Sequence, residues 1–395
     1  MKNIYLDHIA SMPVYPEVID AMLPYLREHF GNPQSRHSFG DEPKRAIENA
    51  RSQVAELIGA HPEEIYFTSS GTESNNLALK GIATAHSRKG RHIIISSIEH
   101  HSVLHSARSL QKQGYEITHL PVDRNGLVSS DDLASAIRDD TILISIMHAN
   151  NEIGTIEPIE EIGTIARERG VYLHTDAVAT VGIIPVDVEK LKVDMLTFSS
   201  QQIHGQKGVA ALYIKKGVRV APILDGGIQE NGRRPGTENV PGIVGMGKAA
   251  EITIKELHGR MERMTLLRDR LIRGLEENID YLHITGDRKK RLPNIVSLCV
   301  EFIEGESMTL LLSAKGIAAA SGSTCSSHAL KASHVILAIG IPPAVAQGSI
   351  LFSLGKDTAE DEIEYLIEVF PPIIKRLREM SPLYEDVIKK EKGKL

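Results

Sequence analysis

The chain has 395 residues, 42% of them hydrophobic and 24% charged, the balance of an ordinary folded protein long enough for two or three domains. Its 45 basic and 51 acidic residues leave a formal charge of −6, with no dense basic run, so composition gives no drive toward nucleic acid or an anionic membrane. The start Met1-Lys2-Asn3-Ile4 lacks the apolar core of a signal peptide, and no apolar run approaches the roughly 18 residues of a membrane span, so a cytoplasmic protein without a membrane partner is expected.

From about residue 15 to 255, short β-rich runs alternate with amphipathic helical segments, the pattern of a mostly parallel sheet covered on both faces. Strands are expected over residues 64–68, 92–96, 141–146, 171–174 and 195–198. Polar residues gather where these runs end: 69–73, Glu99-His100, 150–152, Asp176 and Ser199-Ser200. In open α/β sheets that edge is where ligands bind. A long charged helix is expected over 248–278, followed by mixed strands and helices. A C-terminal helix follows, with Thr358 as its N-cap and Glu360, Asp361 and Glu362 in its first turn. The expected division is a large domain, 15–255, and a smaller α+β domain built from 1–14 and 256–395. No repeat of 20 to 50 residues is visible.

Ser69-Ser70-Gly71-Thr72-Glu73-Ser74-Asn75-Asn76 lies between an expected strand and a helix. Small residues with free N–H groups and hydroxyls at a helix N-terminus form a phosphate cradle, although such residues also cap ordinary helices. The segment is neither a Walker A loop nor a G-x-G-x-x-G fingerprint, so a nucleotide is not favoured. His100 offers a flat aromatic ring, Asn151 an amide for a ring hydroxyl, and Asp176 a carboxylate to pair with a protonated pyridine nitrogen. Cup, histidine, amide and acid together describe a pyridoxal phosphate pocket. Of the two cysteines, Cys299 sits in an apolar strand-like run and reads as a small buried hydrophobe, whereas Cys325 lies in a small, polar stretch where a thiol is reachable. Two cysteines cannot build a disulfide framework for this length, which suits a reducing compartment. Neither H-E-x-x-H nor paired C-x-x-C is present, so no zinc site is expected.

Ordered matches along nearly the whole chain resemble the cysteine desulfurases, a branch of the fold type I pyridoxal phosphate enzymes. They include Tyr5-Leu6-Asp7, Gly31-Asn32-Pro33, the Ser70-to-Asn76 cup, Glu99-His100, Asn150-Asn151-Glu152, His174-Thr175-Asp176, Arg234-Pro235-Gly236-Thr237 and Ser321-Gly322-Ser323-Thr324-Cys325. The resemblance implies an α/β fold type I homodimer with a seven-stranded, mostly parallel sheet and a smaller α+β C-terminal domain. It implies that Gly71, Thr72 and Ser199 bind the phosphate, with Thr237 reaching the phosphate of the other subunit, and Gln201 stands among the cofactor-binding positions. It places His100 on the cofactor ring as a catalytic residue, Asn151 near the ring hydroxyl and substrate, and Asp176 at the ring nitrogen. Cys325 matches the nucleophile that takes sulfur from L-cysteine as a persulfide.

Four positions depart from the family pattern. Where the family reads roughly Ser-Ser-His-Lys-x-x-Gly-Pro-Lys-Gly, this chain has Ser199-Ser200-Gln201-Gln202-Ile203-His204-Gly205-Gln206-Lys207-Gly208, so Gln202 replaces the Schiff-base lysine and Gln201 the histidine before it. Ala179 replaces a glutamine, and Leu351 replaces the arginine expected to grip the substrate carboxylate. An amide forms no covalent link and moves no protons, so the cofactor is expected to be held by non-covalent contacts only. Loss of a charge-assisted clamp is worth about 1.5 to 3 kcal/mol. The expected function is a cysteine desulfurase-like protein with slow or atypical turnover that supplies sulfur from L-cysteine to an iron–sulfur cluster scaffold. The alternative is a non-enzymatic relay or cluster-assembly module, with Cys325 as sulfur acceptor or as ligand of a transient iron–sulfur cluster shared with the scaffold. A different pyridoxal phosphate reaction leaves Cys325 unexplained.

Overall fold

The computed structural model describes residues 3–322, 332–385 and 389. The strands among them are β1 (Ile4–Tyr5), β2 (Ile65–Thr68), β3 (His92–Ser96), β4 (Glu116–Leu120), β5 (Thr141–Ser145), β6 (Tyr172–Asp176), β7 (Met195–Ser199), β8 (Ala210–Ile214), β9 (Leu282–Ile284), β10 (Ile295–Val300), β11 (Ile317–Ala318) and β12 (Ser349–Ser353). Seven form one sheet in the order β2-β8-β7-β6-β5-β3-β4. Within it β4, β3, β5, β6 and β7 run parallel, and β8 is antiparallel to both β7 and β2. Parallel neighbours need crossover connections, and the His101–Gln111, Ser130–Ala136, Ile159–Arg169 and Val188–Leu191 helices supply them.

The central strands read as unbroken apolar runs because both of their faces are covered. Along β3, Ile94 joins the core on one side with Ile144, Leu173 and Phe198, while Ile93 and Ile95 join the other with Leu79, Ile82 and Leu212. The period of two assigns neighbours to opposite faces, and each face has its own helices. Among the described residues, no helix is long and apolar enough to cross a membrane.

A second group of strands lies apart from this sheet. β9, β10 and β12 form an antiparallel sheet, and β1 pairs in parallel with β11. Ile4 and Leu6 from the chain's start pack here with Leu298, Phe352 and Phe370. The Val240–Asn278 helix links the two regions without a break: Ile243, Met246 and Ala249 are buried in the core of the large sheet, and Leu267, Leu271 and Leu275 in the second core. Residues 255 and 256, the expected division, lie mid-helix.

Two expected boundaries are corrected. The long helix begins at Val240, not near 248, because Asn239 accepts the Gly242 N–H at 3.2 Å and caps it. Its glycine-rich first turns look like a break but serve close packing: a Cβ at Gly247 would sit 2.7 Å from the Cα of Ala50. At the other end Thr358 is not the N-cap, since its hydroxyl already accepts the Gly355 N–H at 2.9 Å. The Glu360–Glu379 helix is capped instead by Glu362, whose carboxylate accepts the Ala359 N–H at 2.9 Å.

Candidate active site

The carboxyl ends of β2, β3, β6 and β7 open onto a cavity of about 540 Å3. After β2 the chain turns through Ser69 and Ser70 into the Gly71–His86 helix, and Ser70 Oγ accepts the Glu73 N–H at 3.2 Å. The helix N-terminus with its free N–H groups therefore faces the cavity. Gly71 is required by proximity: a Cβ there would lie 2.9 Å from Val178 Cγ2. Glu73 accepts from the Ser69 N–H at 2.7 Å and from Arg234 Nε at 2.9 Å, which ties the loop before Thr237 to this helix.

Asp176 closes β6 and is held from two sides. Its Oδ2 accepts from Asn75 Nδ2 at 2.6 Å and its Oδ1 from the Val178 N–H at 3.0 Å. The same Asn75 amide donates to Ser102 Oγ at 2.8 Å, and that hydroxyl donates to His100 Nδ1 at 2.8 Å. Since the Ser102 N–H also donates to Nδ1 at 3.1 Å, a neutral His100 carries its proton on Nε2. Beside it, Glu99 is fully buried, accepting from Ser96 Oγ at 2.6 Å and the Met147 N–H at 2.8 Å. Burial pushes its carboxyl up to about 8.

Gln202 lies in a short turn, Ser200–Ile203, after β7, and is 3% exposed. Its Nε2 donates to the Ile9 carbonyl at 2.7 Å, which pins the N-terminal segment to the large sheet. Its Oε1 is buried and has no partner. Ala179 and Leu351 belong to one apolar cluster with Met12, Ala149, Ile183 and Leu292. The four departures from the family pattern thus all line the cavity.

Gly71, Thr72, His100, Asn151, Asp176, Ser199, Gln201 and Gln202 all line this single cavity. Thr237 does not, and it is exposed. Cys325 lies outside the described residues, while Ser321 and Gly322, which precede its segment, line the cavity wall. Cys299 is fully buried, and burial pushes its thiol up to about 12. Sequence reasoning missed the parts played by Asn75 and Ser102, which orient Asp176 and His100. A polar pair inside an otherwise small and apolar helix, Asn75-Asn76, was the available signal. Asp7 and Glu152, which sequence reasoning quoted only within its matched motifs and gave no role, also line the cavity.

Fold and cavity together define a fold type I pyridoxal phosphate enzyme architecture, with the ligand at the carboxyl edge of a seven-stranded sheet. Residues 4–366 match the family described as "Aminotransferase class-V". A cysteine desulfurase IscS of Dictyoglomus turgidum is 52% identical over 98% of both chains. One of Methanosarcina thermophila is 53% identical over 97% of this chain and 94% of that one. A solved NifS-like protein superposes with a TM-score of 0.89 at 39% identity, over 95% of this chain and 100% of that one. The chain belongs to the class-V aminotransferase family and, within it, to the cysteine desulfurases.

The donor set fits pyridoxal phosphate by non-covalent contacts. It offers a helix N-terminus with Ser70 and Thr72 for an anion, and Asp176, oriented by Asn75, for a cationic ring nitrogen. Gln202 has no amine with which to form a covalent anchor. Among the described residues no lysine lines the cavity, and Lys207 is exposed outside it.

Proposed function

We propose that this chain is a cytoplasmic, homodimeric sulfur-transfer protein of the cysteine desulfurase type, with Cys325 as the sulfur-accepting nucleophile and an iron–sulfur cluster scaffold as recipient. The observation that carries this reading is the convergence of Gly71, Thr72, His100, Asn151, Asp176 and Ser199 on one cavity, bounded by Ser321 and Gly322 at the start of the Cys325 segment. The full-length similarity to proteins named cysteine desulfurase supports it. The two cores support a large cofactor domain, 15–255, and a small domain from 1–14 and 256–395.

Gly71, Thr72 and Ser199 would hold the cofactor's phosphate, joined by Thr237 of the partner subunit. Asp176 would pair with the ring nitrogen, His100 would lie against the ring, and Asn151 would contact the ring hydroxyl and the donor. When bound, pyridoxal phosphate supplies an electron-withdrawing ring that stabilises negative charge on the donor's carbon skeleton. Asp176 keeps that withdrawal strong through its fixed charge, and Asn75 keeps Asp176 in place. His100 presents a proton at Nε2. In the net reaction the C–S bond of L-cysteine breaks and an S–S bond to Cys325 forms. The carbon keeps the bonding pair and takes a proton, leaving alanine and a Cys325 persulfide.

Gln202 cannot supply the amine that a lysine would use to anchor the cofactor and move protons, so turnover with L-cysteine is slow. The engagement of Gln202 with Ile9, and the apolar setting of Leu351 and Ala179, favour a second reading: a relay that receives persulfide ready-made, or a cluster-assembly module with Cys325 as iron ligand. Sulfide release from L-cysteine under reducing conditions tests the first reading, using wild type and Cys325→Ser with and without pyridoxal phosphate. Slow, cofactor-dependent release that vanishes in Cys325→Ser is expected. A wild-type protein that forms persulfide on Cys325 only from a persulfide donor would establish the relay.

A further inference from the structure

The smaller antiparallel sheet has two faces with different neighbours. Side chains alternate sides along a strand. Val296, Leu298 and Val300 of β10, with Ile350 and Phe352 of β12, belong to that sheet's own core. Ile295, Ser297 and Cys299 of β10 and Ser349, Leu351 and Ser353 of β12 therefore share the other face, which meets the large domain: Ile295 and Leu351 pack with Ala149 and Ala179, and Cys299 with Met147. On this face Ser297, Ser349 and Leu351 line the cavity. Because β10 is the middle strand of three, its backbone groups are taken by β9 and β12, and the side chain is what Ser297 brings to the cavity. In the β10–β12 register Ser297 stands directly opposite Leu351, and such opposed residues hold their Cβ atoms about 4.5 to 5.5 Å apart. Ser297 is also held from behind: its carbonyl accepts the Thr285 N–H at 3.0 Å, and its Oγ accepts from Thr285 Oγ1 at 2.7 Å. Thr285 spends its hydroxyl proton on Ser297, which leaves the Ser297 proton to donate.

We propose that Ser297 is a specificity-determining residue that donates its hydroxyl proton to the carboxylate of L-cysteine, with Thr285 as the positioning residue behind it. The inference rests on the sulfur-transfer reading above and names the group that meets its donor. Leu351 itself has no donor to offer, and the hydroxyl facing it from the neighbouring strand is within reach of the same ligand group. Two hydroxyls in series strengthen one another, since the bond from Thr285 polarises the Ser297 O–H toward the anion. Burial raises the carboxyls of two other lining acids, Asp7 and Glu152, the latter to about 7, which lessens their opposition to an anion in the same cavity. A neutral hydroxyl grips a carboxylate from one point where a guanidinium would use two, so the donor is held more loosely than by an arginine.

The test is calorimetric titration of full-length, cofactor-loaded protein with L-cysteine and with cysteamine, in a Cys325→Ser background that blocks sulfur transfer so that only affinity is read. The two ligands share their amine and thiol and differ in the carboxylate. Ser297→Ala is expected to weaken L-cysteine about tenfold or more, the worth of a hydrogen bond to a charged group, and to leave cysteamine within about threefold. Ser297→Thr keeps the hydroxyl and suits a strand, so it should restore L-cysteine binding. Thr285→Val should weaken L-cysteine alone, by a smaller factor, because the Ser297 hydroxyl is then free to turn. Retained cysteamine binding shows that each variant is folded and loaded. The proposal is overturned by an equal loss for both ligands, by L-cysteine binding to Ser297→Ala as tightly as to the Ser297 protein, or by no L-cysteine binding to the Ser297 protein. Failure of the sulfur-transfer reading shows differently: no persulfide on Cys325 of the unsubstituted protein from L-cysteine, even where the carboxylate-selective loss is found.

Discussion

Asp176→Asn separates cofactor binding from folding, and the hydrogen bonds around it set the size of the effect. In the fold, Asp176 accepts from Asn75 Nδ2 and the Val178 N–H. Asparagine keeps an oxygen for Val178 and turns its NH2 toward Asn75. Asn75 Oδ1, buried and without a partner, can accept that group once the Asn75 amide flips, and the Ser102 hydroxyl can rotate to follow. Folding stability should therefore change by less than about 1 kcal/mol, the net worth of one neutral hydrogen bond. Cofactor affinity should fall much more. A carboxylate facing a cationic ring nitrogen makes a charge-assisted bond worth about 1.5 to 3 kcal/mol. At about 1.4 kcal/mol per factor of ten, its loss weakens pyridoxal phosphate binding roughly 10- to 150-fold. With glutamine at 202, non-covalent contacts carry the whole affinity, so the dissociation constant reports the bond directly. Titration of the purified variant followed by cofactor absorbance, beside a thermal melt, reads both quantities. A dissociation constant within about threefold of wild type, with the melt unchanged, would refute the assignment of Asp176 to the ring nitrogen, because a charge-assisted bond cannot be lost so cheaply.

Three further outcomes are expected. Gln202→Lys should give a borohydride-fixable covalent linkage to added pyridoxal phosphate, located by mass spectrometry at residue 202; a cofactor-loaded variant without it would show that the turn after β7 does not aim this side chain at the cofactor. Glu99 has its carboxyl pushed up to about 8 by burial, so the folded protein keeps a proton that the unfolded chain loses near pH 4.3. Its contribution to stability is therefore greatest below about pH 4.3 and falls as pH rises toward 8. Glu99→Gln keeps an Oε1 for Ser96 and Met147, and should flatten the decline between pH 5 and 8 in urea denaturation; an unchanged slope would mean that Glu99 ionises freely in the fold. Glu230 accepts two bonds from Arg51, at 2.8 and 2.9 Å, and one from the Phe67 N–H at 2.8 Å, beside β2. Glu230→Ala should cost about 1 to 3 kcal/mol, because the Phe67 N–H and part of the Arg51 guanidinium lose their acceptor while Arg51 keeps Glu48 and the Ile65 carbonyl, read as a lowered urea midpoint. A loss under about 1 kcal/mol would show that water reaches the guanidinium.

The matched and the substituted positions of this cavity have different partners. The cup, Asp176, Asn75 and His100 form one bonded set on β2, β3 and β6 and their following helices. Of the substituted positions, Ala179 and Leu351 share an apolar cluster with Met12, and Gln202 donates to the Ile9 carbonyl of the N-terminal segment. The hydrogen bonds that orient Asp176 and His100 involve none of these three positions. Cavity lining, not fold, decides what this family member binds.

Much of this was legible in the residues themselves. The five expected strands are present within a residue or two of their expected ends, because strands buried on both faces print as short apolar runs bounded by polar turns. The polar groups at their carboxyl ends meet in one cavity for the same topological reason. What the sequence could not express was contact between distant segments. The Gly242-to-Gly247 stretch looks like a break until Ala50 and Met22 pack against it, and Thr358 looks like a cap until Gly355 takes its hydroxyl. The replacement of lysine by Gln202 is visible in the letters, but the hydrogen bond its amide donates to the Ile9 carbonyl, 193 positions away, is not. Residue type and local spacing determined which groups are present and on which edge of the sheet. Only tertiary packing decided which of them are satisfied by the protein and which are left for a ligand, because hydrogen-bond partners and desolvation depend on neighbours that chain order does not reveal.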